Sequence, residues 1–180
     1  MTDPRDAEPT LPVARHTPPP PPYDHSALLP GLAGGLIAAI AGGLVWGLVV
    51  IKTDYEIGFA AWGIGFLCGL AVVRFAGGRK GLPLQLVAVV TALAGVALGK
   101  YITFAYLYRE ASQEAGIASP SYVSGDTISA FFHNLSIVFS FWDLLWAGLA
   151  VAAAWRIAQP DELPVEHRGD ALPDPDAERR

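Results

Sequence analysis

Twenty-six consecutive residues without a charge, Ser26–Ile51, limit this chain more than any other feature. About 20 apolar residues suffice for a helix to cross a bilayer's hydrocarbon core, and such runs are rare elsewhere. Three further apolar stretches follow. Ile57–Val73 is uncharged over 17 residues and Gly81–Gly99 over 19, while Ser140–Ala158 holds one acid, Asp143, near its start. The pattern predicts an all-α membrane protein. We expect a four-helix transmembrane bundle with spans at 26–51, 57–76, 82–106 and 140–158.

The ends of the chain read differently. Residues 1–25 hold eight prolines, five of them in the run Pro18–Pro22, and residues 159–180 are acidic and proline-containing. Segments this polar cannot bury enough surface to offset the entropy of ordering, so both are expected to be disordered tails. The five-proline run predicts an extended polyproline helix, acting as a stiff spacer. The net charge is −5 and there is no basic stripe, which argues against nucleic acid as a partner. Cys68 is the only cysteine, so no intrachain disulfide can form and no thiol metal site is expected. It reads as a packing residue. No motif calls for a cofactor. The acidic, proline-rich start does not resemble a cleavable signal peptide.

Lysine and arginine mark the cytoplasmic side of a membrane protein. With four spans, one side carries Arg5, Arg15, Arg74, Arg79, Lys80, Arg156, Arg168, Arg179 and Arg180, and the other only Lys52, Lys100 and Arg109. Both termini are therefore expected in the cytoplasm.

Local signals place the helix ends. Lys52 suits the C-terminus of span one, and Thr53–Glu56 fits a capping box opening span two. Gly77 and Gly78 fit the end of span two, and Pro83 the first turn of span three. Span three is expected to stop by Tyr106 or Tyr108, with 109–126 a polar loop. Tyr101, Tyr106 and Tyr108 fit an aromatic belt at the outer interface. An amphipathic helix, 127–139, follows, with Asp126 as its cap. Ile128, Phe131, Phe132, Leu135, Val138 and Phe139 share one face, so it is expected to lie in the interface. Ser140–Asp143 is a second capping box, breaking the chain before span four. Without that break, Asp143 would lie within the bilayer, where a charge costs about 2.5–3.5 kcal/mol.

Small residues recur every fourth position. Gly31, Gly35, Ala39, Gly43 and Gly47 do so in span one, Ala61, Gly65 and Gly69 in span two, and Thr91, Gly95 and Gly99 in span three. Such ladders let helix backbones approach closely in lipid. Gly34 and Gly42 lie off the main stripe, so span one is thin on two sides and is expected to be the central helix.

Glu56, Lys100 and Asp143 are the candidate binding residues. Each ends or begins a span at the same expected depth, so three charges from three helices share one plane. The competing reading has them capping or snorkelling separately.

Four segments carry a family resemblance: Gly-Gly-Leu-Ile-Ala-Ala-Ile (34–40), Tyr-Glu-Ile-Gly-Phe-Ala-Ala-Trp-Gly-Ile-Gly-Phe-Leu-Cys-Gly (55–69), Leu-Gly-Lys-Tyr (98–101) and Trp-Asp-Leu-Leu-Trp-Ala-Gly-Leu-Ala (142–150). Residues 31–158 resemble a broad family of small bacterial multi-pass membrane proteins with no established activity. The resemblance implies a bacterial inner or plasma membrane. Some members carry an N-terminal zinc ribbon, for which this chain lacks the cysteines.

For function, no nucleophile motif or metal motif such as H-E-x-x-H is present, so an enzyme is not expected. The span interiors offer almost no polar groups, which argues against a pore through one copy. Transport of a small solute or ion by an oligomer is the alternative. The expected role is a structural or partner-interacting bundle, with the lipid bilayer, further copies of itself or other membrane proteins as partners.

Overall fold

The computed structural model describes residues 25–55 and 58–161. Glu56 and the expected tails, apart from a few residues at their inner edges, lie outside the described residues. A short turn, His25–Ala27, leads into α1 (Leu28–Thr53), followed by α2 (Phe59–Phe75), α3 (Leu82–Glu114), α4 (Gly125–His133), α5 (Leu135–Val138) and α6 (Phe141–Ala158). There is no strand among the described residues. Three helices, α1, α3 and α6, are long and apolar enough to cross a membrane, and α2 is a shorter apolar helix of 17 residues. These helices fit an integral membrane protein.

The ends form for local reasons. Asp54 leaves α1 in the left-handed region, with φ 53°, and its N–H reaches the Val50 carbonyl at 2.9 Å. At the end of α2, Gly77 and Gly78 take φ of 71° and 79°. Gly78 N–H donates to the Val73 carbonyl at 2.9 Å and Gly77 N–H to Arg74 at 3.3 Å. This paired closure satisfies the last carbonyls and needs positive φ, which glycine adopts without a side-chain clash.

Several boundaries depart from the sequence expectations. Thr53 does not cap α2. It is the last residue of α1, and its hydroxyl donates to the Val49 carbonyl at 2.7 Å. The same hydroxyl accepts from Tyr55 N–H at 3.3 Å, within the connection, and α2 starts after Gly58 with no side-chain cap. Helix α3 does not stop near Tyr108 but runs to Glu114, where Gly116 (φ 69°) and Ile117 close it by the same paired motif used after α2. Arg109 is thus a helix residue. The expected helix 127–139 is two pieces. Asn134 separates them: its side-chain amide donates to the Ala130 carbonyl at 2.7 Å. Ser124, not Asp126, caps α4, its hydroxyl accepting from Thr127 N–H at 3.3 Å. Of the six residues expected on one apolar face, only Phe131 is buried.

Helix packing follows from where side chains are missing. Helices α2 and α3 touch each other and both α1 and α6, which lie on opposite sides of that pair. The central position therefore belongs to α2 and α3, not to α1. Gly31, Gly35, Gly43 and Gly47 of α1 face Leu84, Thr91, Gly95 and Ile102 of α3, while Gly34 and Gly42 face Phe75 and Ile64 of α2. The stripes do thin α1 on two sides. Its remaining face, with Ile37, Ile40, Leu44 and Leu48, is exposed and has no helix to meet. Gly65 and Gly69 of α2 lie against the backbone at Ala150 and Ala154 of α6, and Gly95 and Gly99 of α3 against Ala39 and Trp46 of α1. Matching residues in sequence order shows α1 parallel to α3, and α2 parallel to α6. The interior is small and apolar, with Ala61, Cys68, Ala88, Ala92, Ala150 and Ala154 fully buried.

Two glycines of α2, two residues apart, test this packing. A methyl on Gly65 would collide with the Ala150 carbonyl, whereas nothing lies within 4 Å of one on Gly63. Gly65→Ala should lower the melting temperature in detergent, since overpacking costs about 1–3 kcal/mol. Gly63→Ala should leave it level. Likewise Gly43→Leu, which meets the Gly95 carbonyl, should destabilise more than Leu44→Ala on the exposed face. Equal melting in either pair would refute the helix arrangement.

Candidate functional site

Lys100 lies well inside α3, and its side chain is only 5% exposed. A buried ammonium needs an opposite charge and hydrogen-bond acceptors, because leaving it alone costs several kcal/mol. Asp143, in the first turn of α6, supplies one: its Oδ1 lies 2.8 Å from Lys100 Nζ, and its side chain is 12% exposed. The other oxygen, Oδ2, accepts from Ser140 N–H at 2.7 Å and from Ser140 Oγ–H at 3.0 Å. One carboxylate thus caps α6 and joins α6 to α3.

The break before α6 makes this possible. Phe139 and Ser140 are extended, and α6 starts at Phe141 with the Ser140–Asp143 capping box in place. Asp143 is therefore both at a helix start and largely buried. The sequence alternatives of a surface cap and a buried acid are not exclusive here.

Beside the pair is a cavity of about 280 Å³, lined by Lys100, Thr103, Phe104, Leu107, Ile137, Val138, Ser140 and Asp143. Thr103, Phe104 and Leu107 were not singled out from the sequence. They follow Lys100 at three, four and seven residues, so helical spacing alone would have found that wall. Ile137 and Val138 come from α5, and only the tertiary structure brings them in.

The extension of α3 carries the cover over this end. Tyr101 hydroxyl donates to the Tyr122 carbonyl at 2.6 Å, and Arg109 donates to Pro120 at 3.3 Å while lying over the Tyr122 ring. Phe131 of α4 meets Tyr101 and Phe104 edge-on, with ring centres 5.2 and 5.5 Å apart. Loop 117–124 and α4 are held to α3 by these contacts.

Of the three candidate charges, Lys100 and Asp143 meet. Glu56 lies outside the described residues. The candidate packing glycines all face neighbouring helices rather than this cavity. A second concavity of about 560 Å³ runs between α1 and α2, lined by apolar residues that include Val45, Trp46, Trp62 and Leu67. The Trp46 indole N–H is buried without a hydrogen-bond partner. Among the described residues, no three His, Cys, Asp or Glu side chains come together as metal ligands.

These features define an all-helical protein with apolar helices long enough to cross a membrane and a buried ion pair near one end. No family model, curated protein or solved structure matches the chain.

A double-mutant cycle measures the pair. Lys100→Met strands a buried carboxylate, and removing one partner of a buried pair costs about 3–5 kcal/mol. Asp143→Asn keeps an acceptor for Ser140 but not the charge. The double variant should lose less than the sum of the singles, with a coupling above about 1 kcal/mol in detergent unfolding. Coupling below about 0.3 kcal/mol would show that the two charges act separately.

Proposed function

We propose that this chain is a four-span protein of a bacterial cell membrane, with both termini in the cytoplasm. It works by holding partners, either copies of itself or other membrane proteins, and not by catalysis or transport. Helix α2, at about 1.5 Å per residue, reaches about 26 Å, close to the hydrocarbon thickness. The nine-to-three excess of basic residues supports the orientation. The resemblance of residues 31–158 supports a bacterial membrane and rests on its four motifs.

One observation carries the non-transport reading: the middle of the bundle is closed. Among the described residues the only buried polar or charged side chains are Gln85, Thr91, Lys100 and Thr127. Each is satisfied inside the chain. Gln85 donates to the Trp155 carbonyl at 3.4 Å, Thr91 to Val87 at 2.9 Å, and Thr127 to Ser121 at 2.9 Å, while Lys100 meets Asp143. A solute path needs polar groups that are not already satisfied near the midplane. Among the described residues the one buried polar side-chain atom without a partner is the Trp46 indole N–H, a single donor in an apolar wall, and one donor does not make a path.

In this reading the binding site is the corner formed by Lys100 and Asp143, with Glu56 as a third member by its place in the sequence. It sits on the outer side, under α4 and α5. A cycle of Lys100→Met with Glu56→Gln decides whether Glu56 belongs to it.

Two measurements test the proposal. Asp54→Cys and Ser119→Cys, each in a Cys68→Ala background, should react with an impermeant thiol reagent applied outside intact cells. Arg79→Cys should not, and its labelling would reverse or break the topology. Liposomes carrying the purified protein should leak ions and small solutes no faster than empty ones. Flux that rises with protein content would instead establish transport by an oligomer.

A further inference from the structure

The end of the bundle opposite the Lys100–Asp143 pair carries a second polar cavity. Its volume is about 300 Å³, and it is lined by Lys80, Arg156, Gln159, Pro160 and Asp161. Two separate parts of the chain build it. The turn between α2 and α3 supplies Lys80, and the end of α6 supplies the rest. Gly81 N–H donates to the Ala158 carbonyl at 3.2 Å, which holds the two together.

The charges there are unequal. Lys80 meets Asp161 at 2.6 Å, but the Asp161 side chain is 85% exposed, so water competes for it. An exposed pair of this kind is weak and exchangeable. Arg156 lines the same cavity and has no acidic partner among the described residues. Arg74 and Arg79 stand on the same end, in the last turn of α2 and in the turn after it. Among the described residues, the cavity's own lining carries two cations, Lys80 and Arg156, and one exposed acid, Asp161, at the polar margin of a helical bundle. Leu82 and Trp155, each close in sequence to a lining cation, are exposed and apolar.

We propose that this recess binds the headgroup of an anionic phospholipid. The phosphate would sit between Lys80 and Arg156, with Asp161 displaced from Lys80. Guanidinium offers a planar fork of donors to phosphate oxygens, ammonium adds a compact charge, and the Gln159 amide can donate to an ester oxygen. The acyl chains would lie along the exposed apolar surface at Leu82 and Trp155. A free phosphate would meet the same cations but gain nothing from that surface. Basic pockets between helices at a membrane surface favour anionic headgroups for this combination of reasons. The proposal rests on the bundle spanning a bilayer. It does not depend on which leaflet this end faces.

Native mass spectrometry of the full-length chain, with equal amounts of phosphatidylglycerol and phosphatidylcholine in detergent, tests it. The wild-type protein should retain phosphatidylglycerol preferentially. Lys80→Gln and Arg156→Gln should each lower that preference by about fivefold. Lys52→Gln, at the other end, should leave it unchanged. Asp161→Asn removes the internal competitor and should raise the preference, a gain that loss of folding cannot imitate. Equal retention of both lipids by the wild type, or an undiminished preference in the Lys80→Gln/Arg156→Gln double variant, would overturn the proposal. Displacement of the lipid by millimolar inorganic phosphate would assign the site to a soluble anion and overturn it too. Failure of the chain to insert into phosphatidylcholine liposomes would remove the spanning reading itself. Insertion without anionic preference would remove only this one.

Discussion

A lysine buried in an apolar helix must find its counter-charge inside the protein, and much of one end of this molecule is arranged around that need. Lys100 stands on α3 with only 5% of its side chain exposed, and Asp143 answers it from the first turn of α6. For the carboxylate to arrive there, the chain must break just before α6. Ser140 makes the break, and the same carboxylate then holds the new helix start. Capping and ion pairing are usually separate small effects. Joined on one buried side chain, they fix both where α6 begins and how far it slides along α3.

The rest of the bundle is set by close approach. Lipid tails are as apolar as leucine, so helices gain little by hiding apolar side chains from them. What remains is contact, and contact is densest where no side chain intervenes. Gly43 sits beneath the Gly95 carbonyl and Gly65 beneath that of Ala150. The two contacts belong to different helix pairs, α1 with α3 and α2 with α6. Together they place α2 and α3 at the centre, with both outer helices leaning on them. The consequence for function is a filled interior. Alanines and a few larger apolar residues close the middle, and among the described residues the charged side chains are confined to the two ends.

Those ends differ in kind. One buries a neutralised pair under aromatic contacts made by α4 and the loop before it. The other holds, among the described residues, arginines and a lysine near the surface, with the exposed Asp161 among them. A buried pair is costly to assemble and specific in geometry, while exposed cations attract loosely and respond to salt.

The sequence by itself determined the helices and most of their ends, because those depend on neighbours within a few residues. Uncharged length marks the apolar helices, and backbone groups in a bilayer must bond within their own segment. The Gly77–Gly78 closure and the Ser140–Asp143 box are equally local, and both were legible. Where local reading failed, a competing local bond had won. Thr53 turned back to Val49, Asn134 took the Ala130 carbonyl, and Gly116 ended α3 later than the tyrosines suggested. The tertiary structure alone decided which helices are central, which partner Lys100 meets, and that Ile137 and Val138 wall its cavity. A stripe of glycines shows that a helix can be approached but not by which neighbour. Shared depth put Lys100 and Asp143 on one plane, but depth leaves rotation about each helix axis open. Only packing fixes that rotation, through contacts between residues far apart in the chain.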